Sequence, residues 1–188
     1  MHKWSQATPL RRIVMITTIL LICAALILLG AMLYRYVESS GPSPLPDSVS
    51  DNLPFSPLVV PDAEKDFRAS NYKYALIKEK EEEIPLLSFT ITSADGHNQI
   101  NATEQPQPVQ YSEIPEYKNQ FLSNVARQYA TIQSSNGIIY LGRLSKQDDK
   151  QVGIMIERGL LVFFYPTTGD IDDVTWRKLG DALHVQKL

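Results

Sequence analysis

Residues 131–165 read TIQSSNGIIYLGRLSKQDDKQVGIMIERGLLVFFY, and this stretch decides the fold. Asn136-Gly137 lies between Thr131–Ser134 and Ile138–Leu144, a dipeptide and setting that favour a hairpin. Gln147–Lys150 makes a second turn. Val152, Ile154 and Ile156 then alternate, Glu157-Arg158-Gly159 turns the chain again, and Leu160–Tyr165 follows without a polar break. Alternation at period two marks a strand with one buried face. An unbroken apolar strand is covered on both faces and belongs in the middle of a sheet. Four strands in two hairpins are expected.

Downstream, Asp170 is expected to N-cap a helix running through Leu183, with Asp172 and Asp173 in the first turn, where negative charge is favourable. Trp176, Leu179 and Leu183 would form its core face. Upstream, Phe121, Val125 and Tyr129 recur every four residues beside Leu122 and Ala126, which predicts a helix over Tyr117–Tyr129. Before it, Tyr72, Tyr74 and Leu76 alternate with Lys73 and Ala75, and Glu79–Glu83 makes a charged turn. Leu87, Phe89 and Ile91 alternate in turn, Asp95-Gly96 bends the chain, and a polar third strand covers Gln99–Thr103. This order of elements predicts an α+β domain, a mainly antiparallel sheet with two helices packed on it.

The domain is expected to span residues 55–188. Phe55, Leu58, Val59 and Val60 are too apolar for a solvated linker and read as the point where the chain docks. Residues 35–54 read as a spacer, because six of the twelve prolines fall between Pro42 and Pro61, with Ser, Asp and Gly among them.

Ahead of the spacer, Ile13–Tyr34 carries no charged residue. At 1.5 Å per residue this stretch spans about 33 Å, enough for a hydrocarbon core of about 30 Å. A transmembrane helix is expected at 13–34, with the lipid bilayer as its partner. The run exceeds the apolar region of a cleaved signal peptide, and Cys23 follows Leu21-Ile22 instead of the small residue a lipoprotein leader needs, so an uncleaved anchor fits best. Lys3, Arg11 and Arg12 precede the stretch without an acid, whereas Arg35 is the only basic residue between it and Lys65. The positive-inside bias puts residues 1–12 in the cytoplasm and the C-terminal domain outside the plasma or inner membrane.

Chemistry is sparse. Beyond residue 12 the chain holds fifteen Lys and Arg against twenty-one Asp and Glu, a balance of −6 that argues against a nucleic-acid partner. A lone cysteine inside the apolar stretch supplies neither a disulfide nor a thiolate metal site. His2, His97 and His184 are far apart. No glycine-rich phosphate loop or nucleophile elbow is present, so no catalytic residue, metal or cofactor is expected. The aromatic residues Phe121, Tyr129, Phe163, Phe164, Tyr165 and Trp176 read first as core. The alternative is an apolar groove between sheet and helix, lined by Phe121, Tyr129, Phe163, Tyr165 and Trp176.

The proline-rich spacer with Phe55-Ser56-Pro57-Leu58-Val59-Val60-Pro61 at its end, and the closing run of Leu160–Tyr165, Thr167–Asp170 and Asp173–Leu183, resemble bacterial membrane-anchored exported domains of unknown function. Those domains are loosely akin to lipoprotein-carrier and sigma-factor-regulator folds. The resemblance implies a noncatalytic exported domain and assigns no functional residue. The chain is therefore expected to be a non-enzymatic single-pass membrane protein that presents a binding or regulatory domain to an envelope protein or an apolar ligand. The alternatives are a structural subunit of an envelope complex, or an enzyme whose site is assembled from loops.

Overall fold

The structure, a computed structural model, describes residues 44–79, 82–144 and 149–187. The expected transmembrane helix at 13–34, its N-terminal flank and the first part of the spacer lie outside the described residues, as does part of the Gln147–Lys150 turn. Among the described residues no helix is long and apolar enough to cross a membrane.

The described elements run α1 (Asp47–Ser50), β1 (Leu58–Val59), β2 (Phe67–Glu79), β3 (Glu82–Ser93), β4 (Gln99–Pro106), α2 (Gln110–Glu113) and α3 (Pro115–Val125). They continue with β5 (Ala126–Ser134), β6 (Gly137–Leu144), β7 (Gln151–Glu157), β8 (Leu160–Pro166), α4 (Asp173–Ala182) and β9 (His184–Val185). The fold is α+β. A seven-stranded, wholly antiparallel sheet has the order β2-β3-β4-β8-β7-β6-β5, and β1 pairs with β9 in a separate two-stranded ribbon. Two meanders, β2–β4 and β5–β8, are thus joined by the pairing of β4 with β8. The unbroken LLVFFY strand is the fourth of the seven, in the middle.

Turn chemistry sets the hairpins. Arg158 and Gly159 have φ of +55° and +76° and form a two-residue loop between paired Glu157 and Leu160, the left-handed geometry that matches strand twist. The β5–β6 hairpin is closed by Ser135-Asn136, one residue earlier than the Asn-Gly signal suggests, and Gly137 (φ +134°) opens β6. Tertiary bonds hold that register. Asn136 Nδ2 donates to the carbonyls of Gly180 and Leu183 at 3.0 and 2.5 Å, and Ser135 N donates to Asp181 Oδ1 at 2.6 Å, so the hairpin tip satisfies the open end of α4.

The helix expected over Tyr117–Tyr129 stops at Val125. From Ala126 the chain pairs with β6 instead, with a register shift between Gln128 and Ala130. Val125 satisfies the helical spacing, but the ladder to Gly137–Leu144 satisfies the backbone from Ala126 onward and places Ile132 in the core. The final helix is capped by Asp172, not Asp170: the Asp172 carboxylate accepts from Thr175 N at 2.8 Å. Asp170 is used elsewhere, in an ion pair with Arg143.

Both faces of the sheet are covered. The inner face carries the larger core, where Leu87, Phe89, Ile91, Ile100, Ile139, Leu141, Met155, Val162 and Phe164 pack with Trp176, Leu179 and Leu183 from and after α4. The outer face carries Val152, Ile154, Ile156 and Leu161 under Leu122 of α3 and Tyr111 of α2. The expected spacer end is corrected here. Leu45, Val49 and Leu53, within the stretch 35–54 read as linker, are buried in the inner core together with Leu58, Val59 and Val60. They recur every four residues around α1, whose entry Pro46 tolerates because a helix start needs no N–H there. The prolines obscure an apolar pattern that burial then uses.

Candidate ligand cleft

The five residues of the expected groove divide among three places. Trp176 is fully buried on the inner face, edge-to-face with Phe164 at 6.1 Å and 67°. Phe163 and Tyr165 point to the opposite face, because consecutive strand residues do. There they stack at 5.9 Å and 9°, and Phe121 from α3 meets Phe163 at 6.1 Å. Tyr111 lies 5.1 Å from Phe121 and Tyr117 a further 5.3 Å away, so an aromatic row runs Tyr117-Tyr111-Phe121-Phe163-Tyr165. Tyr129 belongs to neither face's core. It sits half-exposed on edge strand β5, under the Arg143 guanidinium at 5.8 Å.

Tyr165 ends the aromatic row and forms one wall of a cleft of about 450 Å³. Leu144 at the end of β6, Lys150 and Gln151 at the entry to β7, Pro166 at the end of β8, and Thr167, Gly169 and Asp170 beyond it supply the rest. Thr167 fixes the loop after β8, its N and Oγ1 both donating to Gln99 O, at 2.8 and 3.1 Å. Gln151 is buried and fully engaged: Nε2 donates to Tyr129 Oη (2.6 Å) and Ile171 O (3.1 Å), while Oε1 accepts from Ile171 N (2.8 Å) and Trp176 Nε1 (3.2 Å). It organises the floor and has no capacity left for a ligand. The Asp170 carboxylate is matched by Arg143, with Nη1 to Oδ1 at 2.9 Å and Nη2 on Oδ2. Lys150 is exposed and makes no ion pair among the described residues.

The cleft thus offers an apolar wall of Leu144, Tyr165 and Pro166, a neutralised acid and one open cation. Burial pushes the Tyr165 phenol above its ordinary pKa, so that wall stays neutral. Among the described residues no group of three His, Cys, Asp or Glu side chains is placed to hold a metal ion. Such an arrangement can bind an apolar group and orient it by charge. Among the described residues that line it, no base is held against a nucleophile.

One group escapes sequence reading. Glu104, on β4 in phase with core residues Ile100 and Ala102, has no solvent exposure. Its Oε2 accepts from Leu58 N at 3.0 Å, and its Oε1 is buried without a hydrogen-bond partner. Burial drives this carboxyl well above the usual carboxylate range, against the smaller opposing effect of the Leu58 bond. Nearby, the Tyr72 hydroxyl is also buried and unpartnered, with its ring stacked on Phe89 at 5.2 Å. The alternation Ile100-Ala102-Glu104 carries the signal, one residue beyond the expected strand end at Thr103. Comparison with known proteins finds no matching protein family, no matching curated protein and no matching solved structure.

Proposed function

We propose that this chain is a non-enzymatic single-pass membrane protein with its N-terminus in the cytoplasm, presenting the α+β domain outside as a binding module. The cleft beside Tyr165 takes an apolar group of an envelope partner. One observation carries the reading: three cations, then twenty-two residues without charge, then a folded domain in which Leu45, eleven positions later, is the first buried residue among those described. Such a stretch partitions into lipid, and the flanking charge sets its direction. The resemblance to membrane-anchored exported domains supports the same reading, and the aromatic row ending at an open cleft supports a binding role.

Protease added to intact cells is expected to remove a C-terminal tag and spare an N-terminal one; the reverse pattern overturns the topology. Crosslinking from the cleft wall in cells is expected to yield one defined adduct. A structural-subunit reading draws on Leu76 and Ile77, which are 54% and 45% exposed on edge strand β2. Copurification in fixed ratio with several membrane proteins would favour that reading instead.

A further inference from the structure

We propose that Glu104 is a proton-controlled latch for the arm of residues 44–60: with its carboxyl neutral the arm lies closed on the inner face of the sheet, and loss of the proton releases it. The proposal is independent of the cleft and of any ligand there.

The geometry is that of a neutral acid. Glu104 stands on the third strand of seven, flanked in the ladder by Leu87 and Val162, both fully buried and apolar. What faces it from β1 is the Leu58 amide. From β2 it is Tyr72, which also feels Asp62 on the loop after β1. These titratable neighbours are acids, and among the described residues no cation acts on the carboxyl. A carboxylate there would have one hydrogen bond among the described residues and no solvent exposure, whereas the protonated acid packs without charge.

The release is local because the ladder that holds β1 over the carboxyl is the shortest in reach. β1 pairs with β9 through two residues, Leu58↔Val185 and Val59↔His184, extended by Gln186 N donating to Pro57 O at 2.9 Å. The strands on either side of Glu104 are held by six- and seven-residue ladders. A charge forming beneath β1 is therefore hydrated at least cost by lifting β1, not by parting the sheet. The arm closes in acid and opens as pH rises. Opening uncovers the apolar run Leu58-Val59-Val60 and adds the arm to the proline-rich spacer that follows residue 34.

Hydrogen exchange of the full-length chain in detergent, corrected for intrinsic rates and followed from about pH 5 to about pH 8, tests the latch. Peptides from residues 44–60 are expected to lose at least about tenfold in protection over that range while β7 and β8 keep theirs. Glu104→Gln retains a carbonyl acceptor for Leu58 N but cannot ionise, and is expected to keep the arm protected at every pH. Arm protection independent of pH in the natural chain, or the same loss in Glu104→Gln, overturns the proposal. Should the variant fail to fold, the infrared band of the protonated Glu104 acid in the natural chain decides. It must vanish over the pH range in which the arm opens, and a carboxyl already ionised beneath a closed arm overturns the latch.

Discussion

The indole of Trp176 lies directly on the backbone of Gly153. A Cβ at residue 153 would stand 2.8 Å from ring atoms Cη2 and Cζ3. The absence of a side chain in β7 is what lets α4 seat its largest residue against the inner face, with Nε1 bonded to Gln151.

Two substitutions at this contact should therefore fail in opposite ways. Trp176→Ala removes a fully buried ring and is expected to cost about 3–5 kcal/mol, as large aromatic deletions in cores do. Gly153→Ala overfills the same space and should cost about 1–3 kcal/mol. Denaturant unfolding of the domain measures both. Their combination should lose much less than the sum, because the smaller side chain at residue 176 makes room for the methyl. Strict additivity would mean that the two residues do not share this space.

The domain boundary gives the second prediction. A fragment starting at residue 44 keeps Leu45, Val49 and Leu53, each less than 7% exposed, whereas one starting at residue 55 exposes the apolar surface they cover. Each buried aliphatic side chain contributes about 1.5–3 kcal/mol. The shorter fragment is expected to unfold at a lower denaturant midpoint, the entropy of ordering the segment offsetting part of that burial. Equal midpoints in denaturant for the two fragments would place this segment outside the cooperative unit.

How much of this was legible in the sequence depends on distance along the chain. The alternation Leu87-Phe89-Ile91 and the unbroken run Leu160–Tyr165 report local burial, so their strands, and the central place of the second, are readable. The pairing of β4 with β8 joins residues some sixty positions apart, and no local pattern announces it. Tyr129 was misleading because its spacing from Phe121 and Val125 suits a helix, while the partner strand that wins the backbone lies beyond the turn. The division of the aromatic set was readable in principle. Phe164 differs in parity from Phe163 and Tyr165, so the strand presents Phe164 to one face and the other two to the opposite one. The cleft was not readable, since three strand ends and a loop build it. Glu104 needed only two more residues of the Ile100-Ala102 alternation.

Glu104 and Tyr72 should respond differently to pH. The folded-state pKa of Glu104 lies above its unfolded value. Its contribution to stability is therefore complete below the unfolded pKa, about 4.3, and is lost as pH rises through the folded value. Glu104→Gln should flatten that decline in melting temperature. Tyr72 carries a phenol that burial, then Asp62 and Glu104, hold above its ordinary pKa, so it remains neutral throughout. Tyr72→Phe deletes a buried hydroxyl without a partner and is expected to leave stability unchanged or raise it by up to about 1–3 kcal/mol. That gain is expected at acid pH, where the Glu104 carboxyl facing the hydroxyl is neutral. A large loss on Tyr72→Phe would show that the hydroxyl is paired in solution.

Core and cleft are separated by comparing the two aromatic residues that the sheet holds apart. Trp176 is sealed on the inner face, so its removal should lower stability and change ligand uptake only through unfolding. Tyr165 is partly exposed, has Phe163 as its ring neighbour, and walls the cleft with Leu144 and Pro166. Tyr165→Ala leaves the inner core untouched and removes a ring that is already partly hydrated, so it should cost no more than about 2 kcal/mol. Because the cleft's apolar wall depends on that ring, the same variant should lose most of its affinity for an apolar fluorescent dye. Lys150→Ala, which removes a cation but none of the apolar wall, should weaken an anionic dye more than a neutral one. Titrating both dyes against the folded variants distinguishes these roles. Undiminished dye binding by a folded Tyr165→Ala protein would move the binding site away from this cleft.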